Sequence, residues 1–500
     1  MTIKLYEILP KTGYDVYGPA NIEIKGLSYD SRKIKEGYIF IALEGKHFNG
    51  SQFVKKSIDS GAVSFVTEKY IHIKGATQLV VKDPLIAMAE LSSKFYQQPD
   101  KKILLIGVTG TNGKTTITYF LESIFEKAKK PAGVIGTINY RFKGKILTAP
   151  NTTPQSADIY DMLNQMVKEK RKTAVMEVSS HALALNRIAG LEFDTAVFTN
   201  LTRDHLDFHV TMENYFEAKS RLFTDLKKGR KDFEKNAVIN IDDPWGKKLL
   251  GMIQEAKTTT YGLNKKCDIR AENITITSKD TRFRLLSPYG NTNIKLSLLG
   301  QHNVYNALAS AAASLVNGIP LKTVKKGLEG LKKVPGRLEI VKSKMPFTVV
   351  VDYAHTDDAL HNALNALCKL KPKRIITVFG CGGDRDKTKR PLMGAIAASL
   401  SNFVFVTSDN PRSEQPEKIA LDIEIGIRKK HKNNYRIILD REQAIADAVA
   451  MAKKGDILLI AGKGHENYQI IGDQKIHFND TEIAKKYLNN LEKQNLSNLK

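Results

Sequence analysis

Cysteine is scarce. The chain has three in 500 residues, Cys267, Cys368 and Cys381, and none forms a CxxC pair. That excludes a zinc ribbon and a disulfide-stapled scaffold, and it fits a reducing compartment. No run approaches the roughly 18 consecutive apolar residues of a membrane helix, so membrane insertion is not expected. The opening segment Met1-Thr-Ile-Lys4-Leu-Tyr-Glu-Ile8 lacks the apolar core of a secretory signal, and a cytoplasmic location is expected. Low-complexity tracts and short repeats are also missing. Acidic residues are in deficit, with Asp+Glu 53 against Lys+Arg 77 and a net charge of +24. Such an excess favours anionic partners. The lysines fall in scattered pairs (Lys129-Lys130, Lys227-Lys228, Lys332-Lys333, Lys429-Lys430) rather than in long blocks. A nucleic-acid-stimulated ATPase would need a concentrated basic patch, so no nucleic-acid partner is expected.

Hydrophobic content of 42% and charged content of 26% are those of a globular protein, and the length suits roughly three domains of about 150 residues. Short apolar runs ending in polar residues recur and alternate with helical patterns: Lys102–Val108, Ala174–Val178, Thr195–Phe198, Thr348–Val351, Ile375–Phe379, Phe403–Val406 and Ile457–Ile460. After the first run, Ile117, Phe120, Leu121, Ile124 and Phe125 fall on one face of a helix over Thr115–Ala128. Continuous apolar strands alternating with helices predict an α/β protein of parallel sheets covered on both faces. Ligands in such sheets sit beyond the C-terminal strand ends, where most of the unusual polar residues lie. Residues 1–98 read as a small separate unit, 99–333 as a central unit and 334–500 as a third, the last break marked by Pro335-Gly336.

The strongest local signal is Gly107-Val-Thr-Gly110-Thr111-Asn112-Gly113-Lys114-Thr115-Thr116, between a strand and a helix. Backbone N–H groups and the helix N-terminus cradle phosphates there, Lys114 reaches the terminal phosphates, and the Thr115 hydroxyl suits Mg²⁺. The motif departs from a strict GxxxxGK[ST], because Val108 stands six residues before Lys114. Glu177 closes the Ala174–Glu177 run and offers a hard oxygen ligand for Mg²⁺. His205, in Thr199-Asn-Leu-Thr-Arg-Asp-His205, offers a ligand for metal or phosphate.

Together these motifs carry a resemblance. Gly110–Thr115, Glu177-Val-Ser-Ser-His181, Thr199–His205 and Gly300-Gln-His-Asn303-Val-Tyr-Asn306 resemble the Mur ligase family of cell-wall amino-acid-adding enzymes. Asn151-Thr-Thr-Pro154, Phe379-Gly-Cys-Gly-Gly-Asp-Arg385-Asp386, Asp409-Asn-Pro-Arg412-Ser-Glu414 and Ala461-Gly-Lys-Gly-His-Glu466 are similar to those members that add the third residue of the peptide. The motifs run from Asp30-Ser31-Arg32 to Phe478-Asn-Asp480, nearly the whole chain. The resemblance implies a three-domain fold with a central P-loop ATPase domain and a C-terminal Rossmann-like domain. It implies a monomer that uses ATP and Mg²⁺ to join a diamino acid to UDP-N-acetylmuramoyl-L-alanyl-D-glutamate through an acyl phosphate. A carboxylate and an amine do not condense unaided in water, so phosphorylation supplies the leaving group.

Residue by residue, the resemblance assigns Lys114, Glu177, His205 and Lys219 to catalysis, with metal held by Thr115, Glu177, His205 and Lys219. Lys219, in Tyr215-Phe-Glu-Ala-Lys219, matches a lysine that becomes an N6-carboxylysine; read without the family, it is a solvated helix residue. ATP falls to Gly110–Thr116, His302, Asn303, Asn306 and Arg337. The uridine nucleotide falls to Ser31, the Gly45-Lys46-His47 loop, Asn151, Thr152, Thr153, Ser179 and Arg187. The diamino acid falls to Arg385, Asp409, Asn410, Arg412, Gly462 and Glu466. Arg412 favours meso-diaminopimelate, whose far carboxylate an arginine binds bidentately, and it would repel the far ammonium of L-lysine. The lysine-adding relative is the alternative. One departure stands out: in Val351-Asp-Tyr-Ala-His-Thr-Asp357-Asp358, Asp357 replaces a family proline, which removes a rigid turn residue and adds a charge near the nucleotide, a change that bears on loop rigidity more than on function.

Overall fold

The computed structural model describes residues 2–45, 49–226, 233–277, 279–430 and 433–497. Lys46 and His47, predicted to touch the uridine nucleotide, and the Lys227-Lys228 pair lie outside the described residues.

The first sheet has five strands in the order Tyr14–Tyr17, Thr77–Val81, Ala62–Thr67, Tyr38–Ile41 and Gly26–Ser28, parallel except for the first. The helix Pro84–Phe95 covers one face with Ala87, Met88, Leu91 and Phe95. It starts where it does because Asp83 caps the N–H groups of Leu85 and Ile86 and Pro84 presets the first turn. Asp30-Ser31-Arg32 follows the edge strand Gly26–Ser28.

The second sheet has eleven strands, and its centre positions the chemistry. Strand β1 (Leu104–Thr109) leads through the Gly-rich loop into helix α1 (Lys114–Lys127). It lies between β2 (Thr173–Glu177) and β3 (Thr195–Phe198), parallel to both, with Glu177 opposite Val108 and Phe198 opposite Thr109. The three strands therefore end at one level, so their following loops share a rim. The apolar stripe of α1 is fully buried, as its spacing predicts. Helix α2 (Met212–Thr224) carries Lys219, and the alanine-rich helix α3 (Gln301–Val316) packs against α1.

The all-parallel expectation fails at both edges of this sheet. Asn139–Phe142 and Lys145–Thr148 form an antiparallel hairpin, and Ile269–Ile276, Thr281–Ser287 and Gly290–Leu296 form an antiparallel meander. Thr281–Ser287 alternates between buried and exposed over most of its length, the pattern of a strand wetted on one face.

The third sheet runs Glu339–Val341, β4 (Thr348–Asp352), β7 (Ile457–Ala461), β5 (Ile375–Phe379), β6 (Phe403–Val406) and Tyr435–Ile437, with only the first strand antiparallel. Helix α4 (Asp357–Cys368) follows β4, and helix α5 (Lys389–Leu400) follows β5. Thr356 caps α4 by accepting from Ala359 N at 3.2 Å. Asp357 occupies the first helical position, where a carboxylate complements the helix dipole. A capped, acid-led helix start thus stands where the family has proline. Deep behind the strand ends, Arg441 donates two hydrogen bonds of 2.8 Å to Asp480, with both side chains 0% exposed. Asp480, the last of the sequence motifs, thus serves an internal ion pair. Among the described residues, no helix is long and apolar enough to cross a membrane.

Candidate active site

Two glycines of the loop after β1 are sterically required. Gly110 (φ +138°) and Gly113 (φ +93°) adopt backbone conformations that L side chains rarely take. A Cβ would stand 1.9 Å from Thr199 Oγ1 at Gly110 and 2.4 Å from Asn306 Oδ1 at Gly113. The loop is fixed from the β3 side: Asn200 Oδ1 accepts from Asn112 N at 2.9 Å, and Thr199 Oγ1 donates to Asn112 O at 2.7 Å. Lys114 Nζ folds onto its own loop, donating to Gly110 O at 2.9 Å and Thr111 O at 2.7 Å.

Glu177 is buried and gathers short polar contacts. Thr115 Oγ1 donates to its Oε2 at 3.0 Å, Thr137 Oγ1 donates to Oε2 at 2.8 Å, and Thr137 N donates to Oε1 at 2.9 Å. Thr115 and Glu177 thus form one cluster of hard oxygen donors beside the phosphate loop, chemically apt for Mg²⁺. Lys219 lies on the other side of the loop, 1% exposed, its Nζ donating to Gly110 O at 2.9 Å and 4.6 Å from the Tyr215 ring centroid. No carboxylate forms an ion pair with it among the described residues. Burial, aided by the charge of Lys114, holds its pKa well below the ordinary lysine value. His205 takes a left-handed backbone (φ 55°) and packs edge-on to His181 at 4.8 Å. Desolvation pushes its imidazole down to about 3, against the pull of Asp204 at 3.4 Å. The four predicted metal ligands therefore divide into two places, Thr115 with Glu177 and His205 with Lys219. Among the described residues, no group of three or more His, Cys, Asp or Glu could hold a metal by itself. A cation that takes its remaining ligands from phosphate and water suits that geometry.

Next to His205 the chain stores strain. Val210 (φ 68°, ψ −51°) centres a three-residue turn closed by Thr211 N donating to His209 O at 2.8 Å. A β-branched residue is rarely found in that region.

A cavity of about 650 Å³ opens between the Gly-rich loop, the start of α3 and α4. Asn112, Thr115, His302, Asn306, Arg337 and Asp358 are among its walls. Arg337 crosses from the third sheet's unit to donate to Thr115 Oγ1 at 3.2 Å, stacked over Tyr353. Its buried Nε has no hydrogen-bond partner among the described residues, as an arginine awaiting an anionic or polyol ligand would have. Asn303 does not reach this cavity. Its amide donates to Leu299 O at 2.8 Å and its oxygen accepts from Asn306 at 3.0 Å, so it orients Asn306.

The predicted uridine-nucleotide residues are brought together in part. Thr153 Oγ1 donates to Glu177 O at 2.8 Å and accepts from Ser179 N at 3.0 Å. Arg187 Nη1 donates to Thr153 O at 3.1 Å, while its buried Nε lacks a partner among the described residues. Thr152 meets Thr137 at 3.1 Å, and Asn151 O accepts from Tyr140 at 2.6 Å. Ser31 lies after the first sheet's edge strand, in the turn capped by Asp30.

The predicted diamino-acid residues all follow C-terminal strand ends of the third sheet. Arg412 has a left-handed backbone (φ 53°), fixed by Arg412 N donating to Ile470 O at 3.1 Å and Gly472 N donating to Arg412 O at 2.8 Å. Its Nη1 donates to Gly383 O at 2.7 Å. Asn410 donates to Glu466 Oε2 at 3.0 Å. Burial, with Asp409 nearby, raises the Glu466 pKa. Gly462 is required to be glycine, since a Cβ there would lie 2.7 Å from Asp409 Oδ2. Arg385 donates to Asp384 O at 3.0 Å on the facing loop.

Sequence reasoning missed several neighbours. Lys463, 0% exposed, donates to Glu466 Oε2 at 3.1 Å and Asn410 Oδ1 at 3.2 Å. Glu466 is thus already paired with a cation. Thr137, Tyr140 and Asp358 were also missed; of these residues, Lys463 and Asp358 lay inside quoted motifs.

Residues 23–96 match the catalytic domain of the Mur ligase family, 108–314 its middle domain, and 336–464 its glutamate ligase domain. A UDP-N-acetylmuramoyl-L-alanyl-D-glutamate--2,6-diaminopimelate ligase of Clostridium acetobutylicum is 45% identical, covering 98% of this chain and 100% of its own. The chain belongs to the Mur ligase family. The ligase of the same description from Clostridioides difficile is 45% identical over 95% of this chain and 97% of its own. A solved UDP-N-acetylmuramoyl-L-alanyl-D-glutamate--2,6-diaminopimelate ligase superposes with a TM-score of 0.69 at 34% identity, covering 98% of this chain and 100% of that one. A D-alanyl-D-alanyl-adding ligase from Acinetobacter baumannii shares the fold at 20% identity, with a TM-score of 0.65 over 92% of this chain and 95% of its own. Mur ligases are ATP-dependent ligases, and the phosphate loop, the nucleotide-sized cavity and the fixed arginine of this chain answer to that chemistry.

Proposed function

We propose that this chain joins meso-2,6-diaminopimelate to UDP-N-acetylmuramoyl-L-alanyl-D-glutamate, with ATP cleaved to ADP and phosphate, in peptidoglycan precursor synthesis in the cytoplasm. The observation that carries the proposal is Arg412, preorganised at a strand end in Asp409-Asn410-Pro411-Arg412, in a chain 45% identical to ligases named for that amino acid. Residues 1–98, 99–333 and 334–500 serve as uridine-nucleotide, ATP and amino-acid domains respectively.

The reaction needs two bond exchanges. A glutamyl carboxylate oxygen attacks the γ-phosphorus and ADP leaves. The diaminopimelate amine then attacks the acyl carbon and phosphate leaves, with loss of an amine proton. Backbone N–H groups of Gly110–Thr116 hold the phosphates, and Lys114 leaves its loop carbonyls for the terminal phosphate. Asn306 and His302 face the base, and the free Nε of Arg337 faces the ribose–phosphate end. Arg187, with Thr153 and Ser179, holds the anionic peptide arm; Ser31 holds the uridine end. Arg412 takes the far carboxylate of diaminopimelate, and Glu466, shared with Lys463 and Asn410, faces its ammonium. Thr115 and Glu177 would hold one Mg²⁺, and His205 with a carbamylated Lys219 a second; magnesium supplies charge neutralisation for the transferred phosphoryl group. Carbamylation turns a buried amine into an oxygen ligand.

Oxygen labelling tests the acyl phosphate. With both oxygens of the glutamyl side-chain carboxylate labelled with ¹⁸O, one label should appear in the released phosphate. Phosphate free of label would defeat this route.

A further inference from the structure

The third sheet's unit grips the phosphate loop through one carboxylate. Asp358, in the first turn of α4, accepts from Asn112 Nδ2 at 2.8 Å and from Thr202 Oγ1 at 3.4 Å. Asn112 belongs to the phosphate loop, and Thr202 to the β3 loop that holds this loop through Thr199 and Asn200. Asp358 thus closes a chain of hydrogen bonds from an amino-acid-side helix to the backbone that cradles phosphate, at the wall of the nucleotide cavity. No ion pair engages it among the described residues, so its two acceptances from the central unit are its visible work. Other polar crossings among the described residues include Lys369 to Gln301 at 2.9 Å on the surface, His355 to Asp204 at 3.9 Å, and Arg337 to Thr115 at 3.2 Å, each longer than the 2.8 Å bond from Asn112 to Asp358. Among the described residues, Asp358 and Arg337 each hold a side chain of the Gly-rich loop from the opposite unit, and Asp358 does so by the shorter bond and as an acceptor.

We propose that Asp358 is a positioning residue that couples seating of ATP on the Gly110–Thr116 loop to docking of the amino-acid-binding unit. It acts through Asn112 and Thr202 rather than on substrate. This rests on the ATP-dependent ligase reading. A latch of this kind keeps phosphoryl transfer contingent on closure, because the loop reaches its working shape only when α4 is against it. What the latch needs from residue 358 is an oxygen acceptor, not a charge.

Two variants separate these requirements. Asp358→Ala removes the acceptor, while Asp358→Asn keeps an acceptor oxygen and removes the charge. Expected for Asp358→Ala is a fall in kcat of about tenfold or more, the cost of leaving the Asn112 amide and Thr202 hydroxyl without their acceptor, with KM for the uridine nucleotide unchanged. Its compaction on adding a non-hydrolysable ATP analogue, followed by small-angle X-ray scattering, should be lost. Asp358→Asn should keep both the compaction and most of kcat. Wild-type kcat and compaction in Asp358→Ala would overturn the proposal. Equal loss in the two variants would also overturn it, because the charge itself would then be needed at the nucleotide. Failure of the wild-type protein to bind the ATP analogue would instead contradict the ligase reading, which keeps the two apart.

Discussion

Replacing Lys219 with alanine is expected to lower kcat by roughly a hundredfold or more, the cost of removing one preorganised charge-stabilising group from a phosphoryl-transfer site. The residue sits 1% exposed under the phosphate loop, donating to Gly110 O and facing the Tyr215 ring. A buried ammonium that forms no ion pair with a carboxylate among the described residues is a costly arrangement. It is explained if the working form is a carbamate, whose oxygens face a cation. Short carboxylates such as acetate or formate should then restore part of the activity to Lys219→Ala and leave the wild type unaffected. Full activity in the alanine variant would remove the carbamate from the account. Loss of activity without carboxylate rescue would reduce Lys219 to a loop support.

The second large effect is expected at Arg412. Arg412→Ala should raise KM for meso-diaminopimelate by roughly 10- to 100-fold, the worth of a bidentate guanidinium–carboxylate contact, and leave KM for the uridine nucleotide unchanged. Arg412→Lys should restore little, because an ammonium lacks the planar fork. Gly472 N and Ile470 O hold the Arg412 backbone in its left-handed conformation. The variants therefore alter the guanidinium more than the loop. Equal rises in KM for both substrates would mean that Arg412 supports the fold of the cleft instead of selecting the amino acid.

The strand ends were legible because their chemistry is local. Glycine at Gly110 and Gly113, an acid closing β2 and an arginine after β6 each sit within a few residues of an apolar run, and parallel register brings the first three to the rim of the second sheet and the arginine to that of the third. The antiparallel edges escaped because Thr281–Ser287 carries arginines between its buried residues, so it forms no continuous apolar run. Asp358 escaped for another reason: an acid in a helix's first turn is sufficiently explained by the dipole, and its partner Asn112 lies far away in sequence. Lys463 was visible in its motif, yet a loop lysine reads as solvated; only packing shows it enclosed with Glu466 and Asn410. Asn303 marks the reverse case, a motif residue whose side chain is spent on orienting its neighbour. The net charge of +24 is likewise narrowed under the proposed function, which gives Lys114, Arg187, Arg337, Arg385 and Arg412 small anionic ligands and not a polyanion.

The most direct test of the central claim is phosphate release from ATP with UDP-N-acetylmuramoyl-L-alanyl-D-glutamate present, comparing meso-diaminopimelate with L-lysine. The account predicts rapid release and a new tripeptide nucleotide with meso-diaminopimelate, and little of either with L-lysine. Equal or faster turnover with L-lysine would contradict the role given to Arg412, and no turnover with either amino acid would contradict the function itself.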